Sequence, residues 1–225
     1  DKKRPNETIR YERPNGYVEV VSGDAGMASV WDYDIVLMAI SHLTDAMNLY
    51  LRLIWMLLTL RRRGAYRLPD DVGRLGSIVL PNDLDLNFHV NNGRYLTLMD
   101  LGRVDMFIRS GLLAAARRNG WHPVIAAGKI RFRHEMRLFQ RFVIETRIVY
   151  WSDATVVMEH RCVIDHPKYG ETAAAVALMR GGFYDRKAKA FVPIATMLEA
   201  AGLRRRDPPP ASDEVAAFLA AEDAL

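Results

Sequence analysis

Cysteine is almost missing from this chain of 225 residues, Cys162 being the only one. That excludes an intramolecular disulfide and a zinc site built on cysteines. Its setting, "MEHRCVID", reads as a strand, which favours a buried structural thiol over a nucleophile. A reducing cytoplasm is the simplest home for such a chain. Long apolar runs are lacking too, and no stretch of eighteen or more apolar residues reads as a membrane-spanning helix. The nearest is "LYLRLIWMLLTL", between Leu49 and Leu60, broken by Arg52 and followed by Arg61, Arg62 and Arg63. It reads as an amphipathic helix that either packs on protein or makes peripheral contact with an anionic membrane surface. Internal repeats are absent, and charge of one sign barely prevails. A net charge of +4 does not imply nucleic acid, although it suits an anionic ligand.

What is present in quantity is apolar: 50% of the residues, enough for a packed core. The length fits one domain plus a smaller piece, and the chain indeed reads as two. Residues 1–46 carry five basic against eight acidic side chains, a balance of −3, while the remainder carries 26 against 19, or +7. In the first piece "GYVEVV" alternates like a short strand. "SVWDYDIVLMAISHLTDAM" has Ile35, Met38, Ala39 and Leu43 at helical spacing. The stretch "IRYERPNGYVEVVSGDAGMASVWDYDIVLMAISHLTDAMN" resembles the start of the RepA-type plasmid replication initiators, DNA-binding proteins built from winged-helix units. That resemblance ends near Asn48, short of the family's later DNA-contacting part. Met47 reads as a second start, so residues 1–46 are expected to be a fused fragment. Residues 47–66 are expected to form an amphipathic helix and linker.

From residue 67 the pattern changes. "GRLGSIVL" reads as a strand. "YLTLMDLGRVDMFIRSGLLAAARRNGW" reads as one long helix, apolar on most faces and punctuated at its end by Gly111 and Gly120. Four strands follow: "HPVIAAGKIRFRHE", "RFVIETRIVYWS", "ATVVMEHRCVID" and "ETAAAVALMRGGFYD", separated by turn signals. This order predicts an α+β fold in which an antiparallel sheet wraps one central helix, over residues 67–202. "FVPIATMLEAAG" closes it as a helix. Residues 203–225 read as a polar, proline-interrupted tail, loosely held, with one short helix.

Between the first strand and the long helix stands "NDLDLNFHVNNGRYL". A loop running into a helix supplies free backbone N–H groups and the positive end of the dipole. Carboxylates beside such donors suit attack on a carbonyl carbon, with the amides receiving the oxygen that becomes negative. The bland alternatives are that Asp83 and Asp85 cap the loop and that His89 is a satisfied structural histidine. Asn91 and Asn92 suit the turn, one of them as N-cap. A metal cluster on D-x-D-x-x-x-H is disfavoured, since no second ligand group follows.

The pattern D-x-D-x-x-x-H-x-N-N-x-x-Y-L, with Asp100 and Arg103 after it, resembles the hotdog-fold acyl-CoA thioesterases. The nearest branches are the 4-hydroxybenzoyl-CoA thioesterase-like and thioesterase-superfamily-member-6-like proteins, over about residues 67–200. The resemblance implies hydrolysis of acyl-CoA or another acyl thioester, without cofactor or metal, by at least a homodimer. It places Asp85 as general base or nucleophile, with Asp83 structural. His89 and Asn92 then orient the loop, water or carbonyl, and the backbone from Val90 through Asn91 and Asn92 to Gly93 supplies oxyanion donors. Tyr95 lines the acyl pocket. Asp100, on an otherwise apolar helix, is either paired with Arg103 or involved in substrate binding. Lys129, Arg131 and Arg133 share one face of a strand and either meet the phosphates of coenzyme A or form a solvated face. Many relatives carry glycine where this chain has Phe88, whose ring is expected to narrow the pocket. Two other readings remain open: a hotdog acyl-binding protein without turnover, and DNA binding through the first piece.

Overall fold

The computed structural model describes residues 9–12, 18–21 and 49–224. The chain divides into two compact units, Asp1–Met47 and Asn48–Leu225. In the first, β1 (Ile9–Glu12) pairs antiparallel with β2 (Val18–Val21), Ile9 opposite Val21. The alternation of "GYVEVV" is thus realised as β2. The amphipathic helix read over residues 29–47 lies outside the described residues.

The second unit opens with a helix, α1, over residues 49–58. After it come β3 (Gly73–Ile78), α2 (Asn92–Arg109), α3 (Leu112–Asn119), β4 (Trp121–Phe132) and β5 (Arg141–Trp151). Then follow β6 (Val156–His166), β7 (Gly170–Asp185), β8 (Ala190–Phe191), α4 (Ile194–Ala200) and α5 (Asp213–Asp223). The large sheet has the order β3-β5-β6-β7-β4, with β8 added to β7, and its pairings are antiparallel. It wraps α2, whose Leu98, Met99 and Leu101 pack with Ile144, Cys162 and Ile164. Helix and sheet approach so closely that a Cβ on Gly102 would lie 2.5 Å from Thr146 Oγ1 and 2.7 Å from Ile144 Cγ2. A side chain there would push the helix off the sheet.

The single long helix read from the sequence is two. Gly111, at φ +82°, turns the chain between α2 and α3. The apolar pattern runs through this break, because Met106 and Phe107 of α2 and Leu112 and Ala116 of α3 join one buried cluster. A second difference concerns the tail. Its helix α5 is not loosely held: Val215 and Phe218 pack against Val157 and Leu178 on the outer face of the sheet. Ser212 caps α5 by accepting from the Val215 N–H. This second layer explains why β6 is buried on both faces rather than alternately.

α1 packs Met56, Leu49 and Leu53 into the main core. Arg52 reaches Ser77 and the Ile78 carbonyl at the end of β3. Past α1, the Arg63 guanidinium meets the buried Asp105 of α2 at 2.9 Å, which Arg109 also holds at 2.9 Å. The other side of α1 is open, with Leu51, Ile54, Trp55 and Leu58 all exposed.

Candidate active site

The loop from β3 to α2 is anchored by Asp83, which is wholly buried. Its Oδ2 accepts from the Leu80 N–H at 2.8 Å and the Arg52 guanidinium at 2.5 Å. Its Oδ1 lies 3.3 Å from the Arg94 guanidinium, and its carbonyl accepts from the Asn91 N–H at 2.8 Å. Every oxygen of this residue is committed to holding the loop, so Asp83 is a structural anchor.

Asp85 stands two residues on and is 23% exposed. Its Oδ1 accepts from the Asn87 N–H at 2.8 Å, and its Oδ2 is 3.4 Å from His89 Nδ1. The Asp85 N–H in turn donates to the His89 carbonyl at 2.9 Å. The segment 85–89 is therefore a small closed turn that presents a carboxylate with one oxygen held and the other beside an imidazole. Phe88 sits inside this turn at φ +60°, a conformation that favours glycine. Its ring is 79% exposed. Within one chain the ring stands in solvent and lines neither of the two cavities beside α2.

Asn91 is the N-cap of α2, its side chain accepting from the Gly93 N–H at 2.9 Å. Val90 donates to the Met136 carbonyl and its side chain is core. Of the amides from Val90 to Gly93, those of Val90, Asn91 and Gly93 are thus already bonded, which corrects their assignment as oxyanion donors. Asn92, at the first helical position, has an N–H that meets no acceptor among the described residues. Tyr95 is corrected as well. It is buried in the core, edge-on to Phe132 at 5.2 Å, and burial pushes its hydroxyl up to about 12.

Further along α2, Asp100 is half exposed and ion-paired with Arg103. Both edge a cavity of about 240 Å³ between α2, α3 and the sheet, walled by Val104, Phe107, Leu113, Ile148, Met158 and Phe183. The rise of a helix puts Arg103 about 16 Å from Asn92 along the axis. Neither Asp85 nor His89 lines this cavity or the wider cleft of about 1100 Å³ between α1, β3 and the neighbouring strands. Lys129, Arg131 and Arg133 are exposed on and just past β4, Lys129 lying 3.6 Å from Glu214 of α5.

Sequence reasoning passed over His160, which is wholly buried and takes Thr146 Oγ1 at 3.0 Å on its Nδ1. Burial first, and the Arg103 charge second, push its imidazole down to about 3. The signal was present: His160 shares the alternating inward face of Val156, Met158 and Cys162.

Comparison with known proteins matches the description "Thioesterase-like superfamily" to residues 79–219. "Replication initiator protein A" matches residues 1–61, running past the boundary expected at residue 46. The protein THEM6 of Xenopus laevis is 45% identical over 86 residues, covering 38% of this chain and 42% of that protein. THEM6 of Drosophila melanogaster is 23% identical over 130 residues, covering 57% of this chain and 67% of that protein. The chain thus spans under half the length of the frog relative. Among solved structures, the probable thioesterase YbaW of Escherichia coli superposes with a TM-score of 0.52 at 20% identity, over 56% of this chain and 94% of that one. The 4-hydroxybenzoyl CoA thioesterase of Pseudomonas sp. strain CBS-3 gives 0.51 at 18%, over 57% and 98%. These superpositions identify the sheet around α2 as a hotdog fold. With the family match spanning more than half of its residues, this chain belongs to the thioesterase-like superfamily.

Proposed function

We propose that this protein hydrolyses an acyl thioester, with acyl-CoA as the substrate class. Asp85 takes the proton of a water attacking the thioester carbonyl, and the thiolate leaves. The Asn92 N–H, at the positive end of α2, receives the oxygen that turns negative. His89 positions the Asp85 carboxylate from 3.4 Å. The observation that carries this reading is the pairing of a partly open carboxylate with an unspent helix-start amide, inside the stretch that matches the family.

The site is completed by a second copy of the chain. β4 is twelve residues long and ends the sheet, with Val124, Ile125 and Phe132 exposed on it. Such an edge invites pairing. Antiparallel pairing of two β4 strands sets the start of one against the end of the other. The start of β4 walls the apolar cavity, and its end holds Phe132 against Tyr95, near the bridge from His89 to Arg137. The partner's Asp85 then faces the cavity that this chain's own Asp85 does not reach. Lys129, Arg131 and Arg133 flank this seam and suit the phosphates of coenzyme A. The exposed side of α1, followed by Arg61 and Arg62, suits contact with an anionic lipid surface.

Incubation with acyl-CoAs of graded length, with thiol release as readout, tests the activity. Turnover that survives in Asp85→Asn overturns the assignment of Asp85. Absence of thiol release with every acyl group favours an acyl-binding protein without turnover. Attack by Asp85 itself would give an anhydride that hydroxylamine traps, which separates nucleophile from base.

A further inference from the structure

Three aromatic rings stand together at the tip of the β6–β7 hairpin. His166 and Tyr169 are stacked, with centroids 4.7 Å apart and planes at 26°. His134, just past the end of β4, joins them at 5.0 Å from His166 and 5.5 Å from Tyr169. Tyr169 is 56% exposed and the two histidines are half-buried. The turn beneath the rings is fixed. His166 Nδ1 accepts from the Lys168 N–H at 3.1 Å, and the His166 carbonyl accepts from the Tyr169 N–H at 3.2 Å. Such a stack presents π-faces, already in place, to a flat ligand. Its rim is cationic. Lys168 Nζ lies 5.2 Å over the Tyr169 ring. Neither Lys168 nor Arg133, which precedes His134, has a carboxylate partner among the described residues. The neighbouring acids are held or turned away: Arg137 lies 3.3 Å from Glu135 and Arg74 lies 3.4 Å from Glu171. Asp165, next to His166 in β6, points to the opposite face of the sheet.

We infer that this hairpin tip seats the adenine nucleotide of coenzyme A, the base on the exposed side of the ring stack and the phosphates at Lys168 and Arg133. Rings take a base by stacking, and cations at the rim take phosphate by charge. The flexible stem of Lys168 lets its ammonium leave the ring for a phosphate. The place in the fold fits this role. Met136, two residues after His134, accepts from the Val90 N–H at 2.9 Å, and Arg137 bridges to His89. His134 is three residues from Arg137, at most about 11 Å of chain, on the segment that pairs with the Asp85 loop. The pantetheine arm of coenzyme A spans such a gap. An acyl group on a carrier protein brings no base to the tip, so the stack favours coenzyme A over a carrier-bound thioester. The choice of coenzyme A rests on the thioesterase reading, whereas the binding of an adenine nucleotide rests on the rings and cations alone.

Adenosine 3′,5′-bisphosphate, which carries the base without pantetheine or acyl group, is the first probe, and coenzyme A and pantetheine are the others. Dissociation constants are measured by titration calorimetry on the intact wild-type protein, Tyr169→Ala, Tyr169→Phe and Lys168→Met. Loss of a stacking ring predicts that Tyr169→Ala weakens the bisphosphate and coenzyme A alike, by about five- to a hundredfold. Tyr169→Phe keeps the ring and is expected to bind as wild type does, and pantetheine is expected to be indifferent to all three substitutions. Lys168→Met is expected to weaken the bisphosphate and to make its binding less sensitive to salt. Failure of the bisphosphate to bind wild type, or equal constants in wild type and Tyr169→Ala, overturns the inference. Coenzyme A binding that Tyr169→Ala leaves intact, beside a weakened bisphosphate, overturns the assignment to coenzyme A. Thiol release from acyl-CoAs, measured alongside, is independent. Its absence with Tyr169-dependent binding sinks only the thioesterase reading, and its presence with equal constants sinks only this one.

Discussion

Asp83 and Asp85 are two residues apart and have opposite environments, which makes their substitutions separable. Removing the Asp83 carboxylate strands two arginines against a buried position. Asp83→Ala is expected to lose about 3–5 kcal/mol in chemical denaturation. Asp85→Asn keeps the turn and is expected to leave the melting temperature unchanged while kcat falls by about two to four orders of magnitude. His160 makes a prediction of the other kind. Its folded value of about 3 lies below the ordinary 6.5, so between these limits the unfolded chain binds a proton that the folded chain refuses. Its contribution to stability is complete above pH 6.5 and is lost as pH falls toward 3, by at most about 1.4 kcal/mol per pH unit. Denaturation of His160→Gln across that window, set against wild type, should show a flatter pH dependence by that amount.

At the scale of elements, α5 and α1 cover the sheet unit from outside. Phe218 closes the outer face of β6 and β7, and Phe218→Ala is expected to destabilise by about 3 kcal/mol with little change in kcat. α1 has a different exposed side, where Trp55 and Leu58 are 64% and 73% open. If that side meets lipid, Trp55→Glu lowers co-sedimentation with vesicles containing anionic lipid several-fold while leaving hydrolysis of a soluble substrate intact. Equal sedimentation of both proteins would remove the lipid contact from the account. The break between α2 and α3 belongs to this scale too: it lets α3 turn back and wall the cavity with Leu112 and Leu113.

For the whole molecule the decisive surface is the free edge of β4. Ile125→Asp places a charge on that edge, and light scattering is expected to report a monomer in place of a dimer. In the proposed composite site the partner's Asp85 then leaves the cavity, and activity is expected to fall at least a hundredfold. A fully active monomer would refute the composite site. Cys162 reports on the fold as a unit. It is buried and its thiol is pushed up to about 12, so alkylation is expected only as fast as global unfolding exposes it.

Local pattern alone determined much of this protein. Alternation located β4 to β7, the turn residues separated them, and the order of elements implied a sheet around a helix. The D-x-D-x-x-x-H-x-N-N spacing located the loop, because carboxylates and amides so close in sequence must share one turn. Tertiary structure decided what each of those groups has left to give. Asp83 is consumed by Arg52, which lies 31 positions away, and the Val90 amide by Met136, on the far side of the sheet connection. Phe88 turns outward through a backbone angle that no composition reveals. The same holds for α5: its large apolar residues are few, and only the outer Val157 and Leu178 side of the sheet gives Val215 and Phe218 a place to pack. Hydrogen-bond partners and burial are set by contacts distant in sequence, whereas periodicity is set by neighbours, and that difference separates what was legible from what was not.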